Sequence, residues 1–300
     1  MYVMQVTLRV DTMGYICRIR LFTALVCGLH PTQLLPMVIA LGYASAILIG
    51  VLLGLMGGGG AVIVVPVLVY LFSKDAVTAT AYSLFIVSIA AFVGFLRNLV
   101  KGMVDVRTGL VFAVPAFVAT YAMRAWVVPA LPQELGTIGS LLVTLDMLIL
   151  GVFAATMAIA AVSMIRSKKR EASEGPVSIN YVKVMLEGLG VGALTGLIGV
   201  GGGFLIVPAL VLLANVPMKK AVGTSLMIIA IKSMIGFMGD LNAGLEPEWT
   251  FLFAFSGLAL AGIFIGTWLG TKISGAKLKT LFGWFVLAMA VFITAQLIAG

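Results

Sequence analysis

The chain has 300 residues, of which 62% are apolar and only 10% are charged, and its formal net charge is +8. A water-soluble domain carries charge on about a quarter of its residues, so this composition excludes water as the main solvent of the chain. The Lys and Arg residues gather beside apolar runs, as at residues 166–170 and 272–279, which favours orientation in a membrane over nucleic-acid binding.

Residues 1–36 precede the first long apolar run and are predicted to form a poorly ordered N-terminal tail. Both cysteines, Cys17 and Cys27, and the single His30 lie in this tail, and their spacing matches no metal-ligand pattern. We therefore expect no catalytic residue, no metal site and no cofactor.

Ten apolar segments follow the tail, at residues 37–55, 60–73, 78–100, 107–128, 138–165, 182–198, 203–214, 219–239, 249–271 and 278–299. Most have about the 20 residues that cross a hydrocarbon core about 30 Å thick. The second and seventh are shorter and follow glycine runs, so each is either a half-helix or a full span. The predicted fold class is all-α, a polytopic membrane protein with eight to ten helices.

The two halves of the chain resemble each other, because residues 54–95 align without a gap on residues 196–237 at a constant offset of 142. The aligned pairs include Gly54/Gly196, Gly57/Gly199, Gly59/Gly201, Gly60/Gly202 and Pro66/Pro208. Chance similarity between apolar segments does not align glycines and a proline in this way. We expect a first membrane repeat at 37–165 and a second at 181–300.

The polar residues 166–180 separate the repeats and begin with a basic run, so they are predicted to form a cytoplasmic linker. If all ten segments cross, counting from this linker places Arg97 and Lys219 inside and the acidic Asp240 and Glu248 outside; if the two short segments do not cross, the chain has eight spans. An odd number of crossings in each half inverts one repeat relative to the other. The chain is expected to be a multi-pass protein of the inner (plasma) membrane.

Each repeat contains a glycine run, at residues 54–60 and 196–203. Such runs interrupt a helix and leave backbone groups unpaired, which is tolerated at membrane depth only against protein or a polar cavity. The N–H groups of the following helix can bind an anion, although glycine also permits close helix packing. The candidate substrate-binding glycines are Gly57, Gly59, Gly60, Gly199, Gly201, Gly202 and Gly203.

Several polar side chains interrupt the apolar segments of both halves. Lys232 lies near the bilayer centre, where a lone charge costs about 2.5 to 3.5 kcal/mol, and its counterpart in the first half is Ala90. Lys232 either supplies the positive charge of an anion site or forms a structural ion pair with Asp146 or Glu187.

Two further groups of polar residues are candidates. The hydroxyls of Ser83, Thr224 and Ser225 are expected either to bind substrate or to bond to carbonyls one turn back. The carboxylates of Asp146, Glu187 and Asp240 are candidates for ion pairing or for coupling transport to an ion.

From Leu41 onward the chain resembles the TauE/SafE family of membrane transporters, which is associated with export of sulfite, sulfoacetate and related small anions. The most specific match is EGLGVGALTGLIGVGGGFLIVP at residues 187–208, and PMKKAVGTS at residues 217–225 extends it. The first copy departs from this pattern, with Ala61 in place of the last glycine. The two halves of the site are therefore expected to differ chemically.

These features predict a secondary transporter of a small anion that works by alternating access, and the resemblance implies sulfite or a related sulfur oxyanion or organosulfonate. An anion channel and, from another class, a membrane-embedded enzyme are the alternatives. The enzyme lacks support, because no cluster of His and carboxylates and no nucleophile motif occurs. The expected partners are the small anion and the lipid bilayer, without nucleic acid, and a homo-oligomer is compatible with the sequence.

Overall fold

The computed structural model describes residues 31–127, 134–138, 141–166, 181–198, 203–242 and 244–299. The first half contains helices α1 (Pro31–Met56), α2 (Ala61–Tyr70), α3 (Ala76–Val100), α4 (Val106–Ala122) and α5 (Leu145–Arg166). The second half contains α6 (Tyr181–Ile198), α7 (Gly203–Pro208), α8 (Met218–Asn242), α9 (Trp249–Lys272) and α10 (Gly275–Ala299). A 3₁₀ turn at Gly57–Gly60 joins α1 to α2, and π-helical turns at Met123–Val127 and Ala209–Leu213 follow α4 and α7. The predicted all-α membrane fold is confirmed.

An antiparallel hairpin, β1 (Glu134–Ile138) with β2 (Leu141–Thr144), lies between α4 and α5. The fifth apolar segment was predicted to begin at residue 138, whereas its helix begins at Leu145. Periodicity alone does not separate a short apolar strand from a helix, and β2 ends in two β-branched residues. At the other end of the first half, α1 begins at Pro31, ahead of the predicted residue 37, and the expected tail before it lies outside the described residues.

The helix boundaries repeat at the offset found in the sequence. Helix α3 begins at Ala76 and α8 at Met218, and they end at Val100 and Asn242, so both boundaries are related by the offset of 142. Helices α4 and α9 begin at Val106 and Trp249, so their offset is one residue larger than 142. The second half is therefore one residue longer than the first between its third and fourth helices. The fold is therefore made of two homologous halves.

The first helix of each half packs against the other half. A methyl group added to Gly50 on α1 would collide with the carbonyl oxygen of Ala259 on α9. A methyl group added to Gly192 on α6 would collide in the same way with the carbonyl oxygen of Ala116 on α4. The glycines are counterparts in the internal repeat, and so are the alanines, which makes the two contacts equivalent. Small residues thus let the first helix of each half pack closely on the fourth helix of the other.

A second pair of equivalent contacts holds the starts of the fourth helices. The backbone N–H of Asp105, before α4, donates to the Thr224 hydroxyl at 3.0 Å. The backbone N–H of Glu248, before α9, donates to the Tyr82 hydroxyl at 2.8 Å. Each hydroxyl belongs to the third helix of the other half, so each half orients the fourth helix of its counterpart.

The chain reverses direction at the first glycine run. A methyl group added to Gly60 would lie 2.7 Å from the Ile49 carbonyl oxygen, and one on Gly42 would lie 2.6 Å from the Phe72 ring, so α2 folds back along α1. Helix α2 has 10 residues, and at 1.5 Å per residue it covers about half of a hydrocarbon core about 30 Å thick. The second apolar segment is therefore a half-helix, and its glycine end lies in the interior.

The outer surface of the helices is apolar. Val118, Ile159, Ile235 and Val291 belong to four different helices, and each exposes more than half of its surface. Such a surface is costly in water but suits contact with lipid chains. Within the described residues, five helical segments are long and apolar enough to cross a membrane. The protein is therefore a multi-pass membrane protein.

Candidate functional site

The two glycine breaks meet inside the fold. Gly57, Gly58, Gly59 and Gly60 are all buried. A methyl group added to Gly203, the first residue of α7, would lie 3.7 Å from the Cα atom of Gly58. The two breaks therefore lie side by side at these residues, while Gly199, Gly201 and Gly202 lie outside the described residues.

Ser225 lies against the first break. Gly57 has a φ of +67°, and a methyl group added there would collide with the Ser225 hydroxyl and lie 3.2 Å from Val207. A side chain is disfavoured at this φ, so Gly57 is required both by the backbone and by the space that Ser225 occupies. The Ser225 hydroxyl donates to the Val222 carbonyl at 2.8 Å within its own helix. Of the predicted hydroxyls, this one lies at the glycine break.

The other two predicted hydroxyls have structural partners. Ser83 donates to the carbonyl of Thr80 at 2.7 Å, the alternative that the sequence left open for it. Thr224 is fully buried and accepts the N–H of Asp105, so its oxygen orients α4. The structure thus assigns both hydroxyls a role in the helices themselves.

Lys232 lines a narrow cleft between α4, α6, α7 and α8. The room inside it is only about 10 Å³, and its lining residues are Phe112, Ala116, Phe117, Thr120, Val191, Thr195, Ile206, Ile228 and Lys232. Lys232 lies near the middle of α8, so the cleft is deep in the membrane fold. The structure thus places this residue beside a cavity inside the fold.

Thr120 and Thr195 bring two hydroxyls to the same cleft. Their oxygen atoms are 3.2 Å apart, and both reach the carbonyl of Gly192, at 2.9 Å and 3.1 Å. Thr120 is also 2.8 Å from the carbonyl of Ala116. Because a hydroxyl hydrogen rotates to suit its acceptors, either group can be redirected toward a bound molecule.

The acidic candidates lie elsewhere on the helices. Glu187 pairs with Lys183, one turn earlier on α6, at 3.9 Å, and its carboxylate oxygens are buried without a hydrogen bond in the described structure. Asp146 is the second residue of α5, so it lies in the first turn of that helix and not well inside it, as the segment predicted at 138–165 implied. The Asp146 side chain is outside the described residues, and Asp240 is half-buried near the end of α8.

The comparison with protein families decides the identity. The family model described as "Sulfite exporter TauE/SafE" matches residues 42–293, which is most of the chain. The chain belongs to this family. The resemblance seen in its glycine motifs is thereby confirmed.

The TauE/SafE relatives cover the membrane fold. A "Probable membrane transporter protein" of Xylella fastidiosa is 30% identical over 252 residues, 82% of this chain and 91% of its own length. The Bacillus subtilis protein YdhB, with the same description, is 25% identical over 249 residues, 82% and 93% of the two chains. YunE of the same organism is 27% identical over 254 residues, 79% and 88%. No solved structure matches the chain. This TauE/SafE protein is a membrane transporter.

Two residues that line the Lys232 cleft of this TauE/SafE protein, Thr120 and Thr195, were not candidates in the sequence analysis. Threonine in an apolar segment commonly bonds to a carbonyl one turn back, so neither residue differs from a structural threonine by itself. A signal was nevertheless present in the internal repeat. The counterparts of Thr120 and Thr195 in the other half are Ile263 and Leu53, which carry no polar group.

A second cleft of the TauE/SafE fold, with about 20 Å³ of room, lies near the predicted inner ends of the helices. Lys219, Asn98, Thr267 and Thr271 line it together with Gly54 of the first repeat. Lys219 donates to the Thr271 carbonyl at 3.3 Å. The two clefts thus lie at different depths, one beside Lys219 at the start of α8 and one beside Lys232 near its middle.

Proposed function

We propose that this protein is a secondary transporter of a small anion, namely sulfite or a related sulfur oxyanion or organosulfonate, in the cell inner membrane. The observation that supports this most is the position of Lys232 in a cleft near the middle of α8. An ammonium at that depth costs about 2.5 to 3.5 kcal/mol on insertion scales, and a bound anion would offset this cost. The family description supplies the sulfur chemistry, because it names sulfite.

The glycine breaks are proposed to form the backbone part of the substrate path. Gly58 and Gly203 are adjacent, and α2 begins directly after the first break. The 3₁₀ turn runs directly into α2, and the Ala61 N–H donates to the Gly58 carbonyl, so the N–H groups proposed to favour a passing anion are those at the start of the turn. Glycine at position 57 lets the Ser225 hydroxyl lie directly against the backbone of the break, so this hydroxyl is proposed to lie on the path as well.

Alternating access is proposed to follow from inverted repeats. Each half holds the first helix of the other against its own fourth helix, so the same packing contacts occur twice. A movement of the helices in one half therefore has an equivalent movement in the other half. If the halves are inverted, one movement would open the path to one side of the membrane and the equivalent movement would open it to the other side. The two clefts, at Lys232 and at Lys219, are candidates for the spaces on this path.

Glu187 is proposed as a coupling residue. It lies on α6 at positions four and eight residues before Val191 and Thr195, so the three share one helix face. Its carboxylate oxygens are buried, and the amine of Lys183 is 3.9 Å away. A buried carboxylate one turn from the cleft residue Val191 can bind and release a proton or a cation as the path opens.

Reconstituted vesicles test the proposed function directly. Purified protein in liposomes should take up sulfite or a related anion with a rate that saturates and depends on an ion gradient. An ohmic current without saturation would instead establish a channel, and chemical conversion of the anion would establish an enzyme. Protein-free liposomes give the leak of each anion that must be subtracted.

A further inference from the structure

The first and fourth helices of opposite halves pack backbone against backbone. A methyl group added to Gly266 on α9 would collide with the Val51 carbonyl oxygen of α1. A methyl group added to Gly188 on α6 would collide with the Phe112 carbonyl oxygen of α4. Backbones this close together cannot slide past each other without losing their contacts, so α1 and α9 form one rigid pair and α4 and α6 another.

Each of these pairs also holds a third helix. Arg97 on α3 donates to the Phe264 carbonyl and to the Thr267 hydroxyl of α9, both at 2.8 Å. A methyl group added to Gly223 on α8 would collide with the Met103 carbonyl oxygen just ahead of α4. Together with the backbone N–H bonds at the starts of α4 and α9, these contacts join α3 to α9 and α8 to α4.

The two half-helices follow the same division. Helix α2 packs on α1, since a methyl group on Gly60 would lie 2.7 Å from the Ile49 carbonyl oxygen, and α7 packs on α8, since one on Gly203 would lie 3.0 Å from the Ile229 side chain. The contacts therefore define a first bundle of α1, α2, α3 and α9 and a second bundle of α4, α6, α7 and α8. Each bundle takes three helices from one half of the sequence and one from the other. Helices α5 and α10 pack on each other at Gly283 and are assigned to neither bundle.

Helices α3 and α8 meet at the boundary between the bundles and pack there through side chains. A methyl group added to Gly94 on α3 would lie 3.1 Å from the end of the Leu226 side chain on α8. One added to Gly236 on α8 would lie 3.0 Å from the end of the Leu84 side chain on α3, and the offset of 142 relates the two contacts. Leucine side chains can change rotamer, so this boundary can rearrange at lower cost than the backbone contacts inside a bundle.

The boundary also passes through the glycine breaks and the inner cleft. Gly57 of the first bundle lies against Ser225 of the second. The cleft beside Lys219 is lined from both sides, by Thr267 of the first bundle and by Lys219 of the second. The cleft beside Lys232 is lined only by α4, α6, α7 and α8, so it lies within the second bundle. A movement at the boundary would therefore change the inner cleft and the breaks while carrying the Lys232 cleft along intact.

We infer that the two bundles, and not the two halves of the sequence, are the units that move relative to each other during transport. This inference rests on the proposed alternating access and specifies which helices move together. The inner cleft has only about 20 Å³ of room in this structure, so it is closed to an anion. Sliding of α3 against α8 widens it without breaking the contacts inside either bundle.

Three exposed lysines near the predicted inner ends of the helices distinguish the bundles from the halves. Lys101 follows α3 and Lys272 ends α9, so they share a bundle but not a half. Lys220 begins α8, so it shares a half with Lys272 but not a bundle. Spin labels on Lys101→Cys/Lys272→Cys and on Lys220→Cys/Lys272→Cys allow both distances to be measured by double electron–electron resonance. The background carries Cys17→Ser and Cys27→Ser, which remove the natural thiols.

The labelled full-length protein is measured in liposomes with and without a sulfite gradient. The Lys220–Lys272 distance should shift by more than about 2 Å, while the Lys101–Lys272 distance should stay constant. The opposite pattern would establish the sequence halves as the moving units and overturn the inference. Constant distances for both pairs, in liposomes that take up sulfite, would overturn it as well.

A disulfide across the boundary gives a functional test. Cysteines at Leu84→Cys and Gly236→Cys face each other, because the methyl group built on Gly236 lies 3.0 Å from Leu84. Oxidation of the double variant should lower sulfite uptake at least about tenfold, and reduction should restore it, because the bond stops α3 from sliding on α8. The two single variants under the same oxidant are the controls. Uptake that the disulfide leaves unchanged would contradict movement at this boundary.

The distance measurement in detergent separates this inference from the proposed function. Without any anion, thermal motion alone should give the Lys220–Lys272 distance a broader distribution than the Lys101–Lys272 distance. Equal widths, or a broader Lys101–Lys272 distribution, would overturn the bundles whatever the protein transports. If the widths are as expected and neither sulfite nor sulfoacetate is taken up by vesicles, the proposed anion transport fails and the bundles stand.

Discussion

The hydroxyl of Ser88 on α3 donates to the carbonyl oxygen of Ala230 on α8 at 3.1 Å, and Ala230 is the counterpart of Ser88 in the second half. A contact between two equivalent residues can lie only where the two halves meet symmetrically. Helices α3 and α8 therefore cross at the centre of the internal repeat. Ala230 has no hydroxyl that could donate to the Ser88 carbonyl, so the second half makes no equivalent bond. The two halves therefore differ chemically at this crossing.

The close approach of α6 to α4 gives the first prediction. Gly192→Ala should destabilise the protein by several kcal/mol, about 2 or more, because the added methyl group collides with the Ala116 carbonyl on a neighbouring helix. The measurement is thermal unfolding of the purified protein in detergent. Gly190→Ala on the same helix is the matched control, because a methyl group there has nothing within 4 Å. Equal melting temperatures for the two variants would contradict the packing described for these helices.

The first glycine break gives the second prediction. Gly57 and Gly102 have nearly the same backbone conformation, with φ of +67° and +66°, but only Gly57 has the Ser225 hydroxyl and Val207 against it. Gly57→Ala and Gly102→Ala therefore share the cost of a positive φ, about 1 to 2 kcal/mol, and differ in crowding. Gly57→Ala should lose most transport in vesicles while Gly102→Ala keeps it.

Comparison of these two variants isolates the effect of crowding, because the backbone cost is common to both. Both variants are first compared for yield and thermal stability in detergent, so that a loss of transport is judged on folded protein. Normal transport by Gly57→Ala would show that the break tolerates a side chain and is neither on the substrate path nor a hinge.

The inverted topology gives the third prediction. A reporter fused after Leu245 should be external, and one inserted within residues 166–180 should be cytoplasmic. The structure is compatible with this arrangement near Leu245, since Lys74 and Glu248 form an ion pair at one end of the helices while Lys219 bonds to Thr271 at the other. Detection of both reporters on the same side would exclude inverted repeats.

Much of the fold could be predicted from the sequence, because the offset of 142 relates both halves at once. The register of glycines and Pro66/Pro208 predicted equivalent helices, and α3 and α8 have equivalent boundaries. The packing of each first helix against the other half was not predictable, since Gly50 and Ala259 are brought together only by tertiary packing. The hairpin before Leu145 was missed because its short apolar strands have no distinguishing period.

The candidate site was predictable in part for a similar reason. Lys232 is conspicuous in sequence, since a charge in an apolar span is costly wherever the helix packs. Thr120 and Thr195 are not conspicuous, because each bonds to a carbonyl of its own helix, as the predicted Ser83 does. Only the packing of α4 against α6 distinguishes these cases.

Sulfite uptake by vesicles containing the Lys232→Met variant is the most direct test of the proposed anion site. Methionine keeps the length of the side chain and removes its charge, so the variant should fold, while its anion uptake should fall at least about tenfold, equivalent to about 1.4 kcal/mol. Lys232→Arg should retain part of the activity. A folded Lys232→Met protein that takes up the anion with the rate and apparent affinity of the wild type would contradict a charge-based anion site in this transporter.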